Sequence, residues 1–173
     1  MGTKKRRTTP ITLSLAPSLY RLVELHAAKN GVDLLEAVET ILRDALMDEL
    51  EPADKRQVQA ESELMEIVGR LVTDISQTGW DEDVTAAVFE KIADEHLDLY
   101  REAVGGDPFH FGNAEKSRIN KRIGARIKRL LAADIVMSRG IRAKGQPSRK
   151  TPSLIMSYTL LRPRNVGKRN RRG

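Results

Sequence analysis

The chain has 173 residues, of which 40% are apolar and 4% aromatic, and its formal net charge is +6. It contains no cysteine, which excludes disulfides, thiolate catalysis and cysteine-based zinc sites. Its length suits one ordinary domain or two small ones, and no apolar run approaches the roughly 20 residues that a membrane helix needs. We therefore expect a mainly α protein that is cytoplasmic and has no membrane partner.

The charge is divided unevenly along the chain. Residues 1–32 carry six basic side chains and one acidic, residues 33–107 carry six basic and 21 acidic, and residues 108–173 carry 18 basic and two acidic. A polyanion would be attracted to the two ends and repelled by the middle. Ordinary solvated charge seldom separates in this way, so a nucleic acid is the expected partner.

The stretch TTPITLSLAPSLY (8–20) begins with a period of two. Apolar side chains at Ile11, Leu13 and Leu15 alternate with polar side chains at Thr12 and Ser14. This alternation predicts a half-buried strand. No second strand follows it, and an unpaired strand would leave its backbone N–H and C=O groups without partners.

Two amphipathic helices follow this strand. The first starts at Pro17 and is closed by Asn30 and Gly31, and the second starts after Asp33, which with Glu36 forms a capping pattern. A unit this short cannot bury the strand and both apolar stripes alone. We expect a second copy to supply the missing strand, so that four helices cover an antiparallel ribbon about a two-fold axis. The predicted dimer contacts are Ile11, Leu13, Leu15, Leu22, Val38, Ile41 and Leu42.

Residues 8–48, with their strand, helix, KNGVD turn and second helix, resemble the ribbon-helix-helix DNA-binding proteins of the Arc and MetJ type. The resemblance implies that Thr12 and Ser14 face base edges in the major groove. It also implies that the backbone N–H groups of Leu34 and Leu35 hold a phosphate at the start of the second helix. The preceding basic arm, residues 1–7, extends this surface through Lys4, Lys5, Arg6 and Arg7, followed by Thr8.

The predicted base readers are short, and Ser and Thr discriminate bases poorly. In addition, Asp33 stands where the family often has Ser or Thr, and its carboxylate would repel a phosphate. Three alternatives stay open: the unit reads little sequence, the basic arm makes most of its contacts, or the unit serves mainly to dimerise.

The acidic middle is expected to be structural. Residues 51–62 are polar and favour a linker or a frayed helix, and apolar stripes from Leu64 to Ile75 and from Asp81 to Gly105 predict two helices. Asp81, Glu82, Asp83, Glu95, His96 and Asp98 could bind a divalent metal, but their spacing is typical of a solvated helix face. We expect no catalytic residue, no metal and no cofactor, and therefore a protein that is not an enzyme.

The basic third begins with a helix at 114–131, followed by a short strand at 135–137, a basic loop at 139–152 and a returning strand at 154–160. This order resembles the end of a winged helix-turn-helix domain, with the helix as recognition helix and the loop as wing. The expected DNA contacts are Arg118, Lys121, Arg122, Arg126, Arg129, Arg142, Lys144, Arg149 and Lys150. The tail 162–173 is expected to be a flexible basic arm.

Together these patterns predict a ribbon-helix-helix unit at 8–50, a linker at 51–62 and a helical domain at 63–161 that ends in a winged-helix-like β-hairpin. The expected function is dimeric, sequence-specific or semi-specific binding of double-stranded DNA by a transcriptional repressor associated with the nucleoid. One alternative is an accessory protein of mobile DNA, acting in plasmid partition, relaxosome assembly or replication control. An alternative of another class is an RNA-binding or ribosome-associated protein.

Overall fold

The computed structural model describes residues 12–30, 32–147 and 153–164. The chain forms two compact units, Met1–Ala45 and Leu46–Gly173. The described residues are mainly helical, with small antiparallel strand pairs, which confirms the expected mainly α class.

The smaller unit consists of two packed helices, α1 (Pro17–Asn30) and α2 (Leu34–Ala45). Asp33 caps α2 as the sequence predicts, because the Glu36 N–H donates to its Oδ1 at 2.8 Å. Its buried core is small and comprises only Val23, Ala27 and Ala37 among the described residues. Residues 12–16, the described part of the predicted strand, form neither helix nor strand in the single chain.

Much of the apolar surface of the smaller unit is exposed in the single chain. Its exposed large apolar side chains are Leu13, Leu19, Tyr20, Leu22, Leu25, Leu35, Ile41 and Leu42. Leu22 is 61% exposed and Leu35 is 69% exposed. A core of three buried residues covers too little area to stabilise this unit alone.

The larger unit begins with a 3₁₀ turn (Met47–Glu49) and a long helix, α3 (Pro52–Thr78). Of the two alternatives for residues 51–62, a linker or a frayed helix, the structure shows helix and not a linker, because α3 starts at Pro52 and continues through that stretch. Proline is well suited to the first helical turn, where its missing N–H has no partner to lose. Ala60 and Glu61 are already buried against the rest of the unit, so this part of the helix is held by packing.

Three more helices complete the helical layer: α4 (Val84–Glu95), α5 (Leu97–Val104) and α6 (Ala114–Leu130). The helix predicted from Asp81 to Gly105 is two helices, which are separated at His96 by a non-helical backbone (φ −136°, ψ 26°). Gly105 then ends α5 in the left-handed conformation at φ 65°. The fully buried centre is formed by Leu64, Val68, Val88, Ile92, Tyr100, Ile119, Ile123 and Ile127.

Six two-residue strands follow α6: β1 (Asp134–Ile135), β2 (Met137–Ser138), β3 (Ile141–Arg142), β4 (Lys144–Gly145), β5 (Tyr158–Thr159) and β6 (Leu161–Arg162). They pair antiparallel as β1 with β6, β2 with β3, and β4 with β5. Three further backbone hydrogen bonds of 2.9–3.1 Å connect the strand pairs. The Val136 N–H donates to the Leu160 carbonyl, the Leu160 N–H donates to the Ala143 carbonyl, and the Ala143 N–H donates to the Val136 carbonyl. Three extended segments therefore meet in a closed three-way junction.

This junction corrects the expected loop at 139–152. It contains β3 (Ile141–Arg142) and β4 (Lys144–Gly145), and Arg139 and Gly140 form the turn that precedes them. Both turn residues have positive φ, 50° and 78°, as tight hairpin turns require. The returning strand also starts later than expected, at Tyr158, since residues 153–157 contain bends and no strand.

Candidate nucleic-acid interface

Helix α6 carries more basic side chains than any other described helix or strand of the larger unit. Asn113 caps its start, and its side-chain oxygen accepts from the Glu115 N–H at 2.9 Å. One stripe of α6, formed by Ile119, Ile123 and Ile127, is completely buried. The basic side chains therefore lie on the two flanks of this stripe.

One flank of α6 faces α3, where Glu61 holds two arginines. Arg118 donates to both carboxylate oxygens of Glu61, at 2.9 and 2.7 Å, and Arg122 donates to the same carboxylate. Glu61 is only 2% exposed. Burial alone would lower the pKa of Arg118, but its bonds to Glu61 and Glu115 outweigh that effect and raise the pKa. Both guanidinium groups are thus engaged within the unit.

Arg126 lies on the same flank, against the α3 backbone. Its Nη2 is 3.3 Å from the position that a Cβ on Gly69 would occupy. Arg129 is half-buried in the last turn of α6. Of the arginines that the sequence predicts as DNA contacts, Arg118, Arg122 and Arg126 therefore pack against α3. The sequence feature that indicates this packing is Glu61, an acidic residue on the buried face of α3 one turn before Leu64.

The opposite flank of α6 borders a cavity of about 640 Å³, together with α4, the strands and residues 155–157. Four basic side chains line it: Lys116, Lys121, Lys128 and Arg142. None of its described lining residues is acidic. Anions are therefore the ligands that this surface favours electrostatically.

Lys121, Lys128 and Arg142 are exposed at this flank. In the described part of the chain, none of the three has an acidic side chain within ion-pair distance. The hairpin extends the same basic character through exposed Arg139 and Lys144. We call Lys121, Lys128, Arg139, Arg142 and Lys144 the basic face.

Lys116 lines the same cavity but is only 2% exposed. Its Nζ has no hydrogen-bond partner among the described residues and lies 3.9 Å from the centroid of the Phe111 ring. Burial lowers the pKa of Lys116, and the nearby Asp107 carboxylate partly opposes this change. In the sequence this lysine is one of many basic residues of α6, so no local signal distinguishes it from its exposed neighbours.

In the smaller unit, Thr12 and Ser14 are exposed and Leu34 is half-buried. Among the expected dimer contacts, Leu13, Leu22, Ile41 and Leu42 are exposed, whereas Leu15 and Val38 pack against the core of their own chain. The remaining predicted site residues lie outside the described residues: Lys4, Lys5, Arg6, Arg7, Thr8, Ile11, Arg149 and Lys150.

Within residues 12–30, 32–147 and 153–164, no group of three or more His, Asp or Glu side chains is arranged to hold a metal ion. Over the same residues, no helix combines the length and apolar character needed to cross a membrane. No protein-family model, curated protein or solved structure matches this chain.

Proposed function

We propose that this protein binds double-stranded DNA as a homodimer and acts as a transcriptional regulator. The observation that carries the proposal is the basic face, where Lys121, Lys128 and Arg142 are exposed and have no acidic partner among the described residues. Its setting is a chain segment with 18 basic side chains against two acidic ones. Neutralising phosphates and releasing their counterions is the main source of affinity for such a surface.

The contrast between the two flanks of α6 supports this assignment. Arg118 and Arg122 both pair with Glu61, and Arg118 also pairs with Glu115, so the two arginines stabilise the fold and contribute little to binding. Lysines and arginines without an acidic partner remain available to pair with an anionic ligand. A surface that served only to solubilise the protein would not need paired arginines on one flank of α6 and basic side chains without acidic partners on the other.

The exposed apolar residues of the smaller unit support dimerisation. Leu13, Leu22, Ile41 and Leu42 lie in a unit whose own described core is three residues. A second copy would cover these side chains and pair the extended residues 12–16, as in the ribbon-helix-helix arrangement that the sequence resembles. A dimer would also place two basic faces on one duplex and raise affinity through effective concentration.

Duplex DNA is favoured over RNA for a geometric reason. A two-stranded ribbon fits the major groove of B-form DNA, whereas the major groove of an A-form RNA helix is too narrow for side chains to enter. Occupation of a promoter by such a dimer would exclude other proteins from it, which is the basis of simple repression.

The proposal is tested by competition at one salt concentration. A labelled DNA duplex bound to the full-length protein is displaced either by unlabelled DNA duplex or by double-stranded RNA of equal length, and anisotropy is recorded. We expect the DNA duplex to compete at lower concentration. Tighter binding of the RNA would contradict the assignment and favour an RNA-binding function.

A further inference from the structure

The cavity beside α6 has the dimensions of a small-molecule site. Its volume of about 640 Å³ lies within the range of roughly 300–1,000 Å³ that is typical of ligand pockets. It is much larger than a single inorganic phosphate requires. Its apolar walls include Phe89, Phe111, Ile155 and Tyr158, and its polar lining includes Ser117 and Thr159. The cavity therefore combines aromatic surface, hydrogen-bonding groups and positive charge.

Lys116 is the feature of this cavity that the fold alone does not explain. A buried ammonium group has three N–H donors and is costly to leave without acceptors. The face of the Phe111 ring compensates only part of that cost. The Nζ is enclosed against the Phe111 ring, so an anion in the cavity would supply the missing acceptor when the Lys116 ammonium turns from the ring toward the space lined by Lys121, Lys128 and Arg142.

Gly124 gives a second, independent indication. It lies within α6 and lines the cavity, and a Cβ at this position would meet no described atom within 4 Å. Glycine weakens a helix interior relative to alanine, and packing against a described neighbour does not require it here. Its absence of a side chain leaves room in the cavity.

We propose that this cavity binds an organic phosphate with an aromatic ring system, of the chemical class of a nucleoside monophosphate. The phosphate accepts hydrogen bonds from Lys116 and is further neutralised by Lys121 and Lys128. The ring system packs against the apolar walls. The molecule that supplies the phosphate and the ring system is either a free nucleotide or the 5′-phosphorylated end of a nucleic-acid strand, since both have this chemistry. The inference goes beyond the proposed function, because duplex binding by the exposed basic face does not require an occupied cavity.

The test uses isothermal titration calorimetry on the full-length protein without DNA. The probes are deoxyadenosine 5′-monophosphate, deoxyadenosine and inorganic phosphate. We expect the nucleotide to bind at least about tenfold more tightly than either fragment, because it engages both the charged and the apolar parts of the cavity. Equal or weaker binding of the nucleotide would overturn the proposal, even if duplex DNA binds normally.

Two variants locate the site. Lys116→Met keeps the length of the side chain and removes its charge, and should weaken nucleotide binding at least about tenfold, as expected for loss of a charge-assisted hydrogen bond. Gly124→Leu fills the cavity and should abolish measurable binding. Lys91→Met, at an exposed lysine of α4 outside the described lining of the cavity and outside the basic face, is the matched control and should change the affinity less than about twofold.

Thermal unfolding without ligand separates binding from structure. Lys116→Met should melt at or above the wild-type temperature, because methionine removes an unpaired buried charge. A lower melting temperature combined with unchanged nucleotide affinity would assign Lys116 to the fold and overturn the proposal. Should this variant fail to fold, Gly124→Leu decides: retained nucleotide binding contradicts the site. Competition by a 5′-phosphorylated single-stranded oligonucleotide would support a strand end as the source, and its failure would support a free nucleotide.

Discussion

A single buried carboxylate, Glu61, determines which arginines of α6 belong to the fold. It accepts from Arg118 and Arg122 while it is almost completely enclosed. Removing one partner from a buried ion pair is strongly destabilising, because the remaining charge stays buried without compensation. The same loss at an exposed pair is small.

We therefore expect Glu61→Gln to reduce the free energy of unfolding by about 2–3 kcal/mol, measured by urea denaturation. This loss in the free energy of unfolding is at the low end for buried ion pairs, because the Arg118 side chain is 33% exposed and keeps Glu115 as a partner. Glu63→Gln, two residues further along α3 and exposed, is the matched control and should stay within about 0.5 kcal/mol of wild type. Equal effects of the two substitutions would show that Glu61 does not hold the arginines.

A second residue-scale prediction concerns Tyr158, whose hydroxyl donates to Asp83 at 2.7 Å. Burial and this bond to a carboxylate raise the pKa of Tyr158 to about 12. Its contribution to stability is therefore complete below about pH 10, the ordinary tyrosine pKa, and is lost as the pH rises toward 12. Tyr158→Phe should cost about 1 kcal/mol at neutral pH, and chemical denaturation should show this difference shrinking between pH 10 and 12. A difference that is constant through this range would rule out the bond as its cause.

At the scale of elements, glycines of α6 and of the strands should respond in opposite ways to the same substitution. Gly124→Ala should raise the free energy of unfolding by about 0.5–1 kcal/mol, because alanine favours the helix and meets open space. Gly145→Ala should be destabilising, since its Cβ would overlap the ring of Tyr158. Thermal and urea unfolding of both variants test this pair, and a destabilised Gly124→Ala would mean that α6 has a close neighbour at this position.

The helices were largely predictable from the sequence, whereas the strands were not. Apolar periodicity predicts the cores of α3 and α6, since a buried stripe is a local property of a helix. The three-way junction depends instead on backbone bonds that join Val136 and Ala143 to Leu160, which is distant from both in the chain. Gly140, which adopts positive φ in the turn, was the available local signal for the hairpin.

The basic surface was predictable as a charge excess but not residue by residue. Counting charges identifies residues 108–173 as the basic part of the chain. Counting does not reveal that Glu61, more than fifty residues away in the sequence, neutralises Arg118 and Arg122. Nor does it distinguish the enclosed Lys116 from the exposed Lys121, because burial depends on packing between distant segments.

For the whole molecule, the proposed dimer should depend on the apolar surface of the smaller unit. Leu42→Asp places a charge at a side chain that is 47% exposed in the single chain, so it should disturb one protomer little and an apolar interface strongly. Sedimentation equilibrium of the full-length protein should show a dimer for wild type and a much weaker dimer for this variant. Ile141→Asp, the same kind of change at an exposed residue of the larger unit, should remain dimeric, and equal behaviour of the two variants would refute this interface.

The central claim is that the basic face binds DNA through phosphates, and the salt dependence of duplex affinity tests it most directly. If each side chain contacts one phosphate, combining Lys121→Ala, Lys128→Ala and Arg142→Ala should flatten the slope of log K against log salt by about 2–3 per subunit, since each contact contributes about 0.9. The control combines Arg70→Ala, Lys91→Ala and Arg101→Ala, which removes the same charge from exposed positions outside the basic face. We predict that the control keeps the wild-type slope, and a wild-type slope in the first variant would contradict the claim.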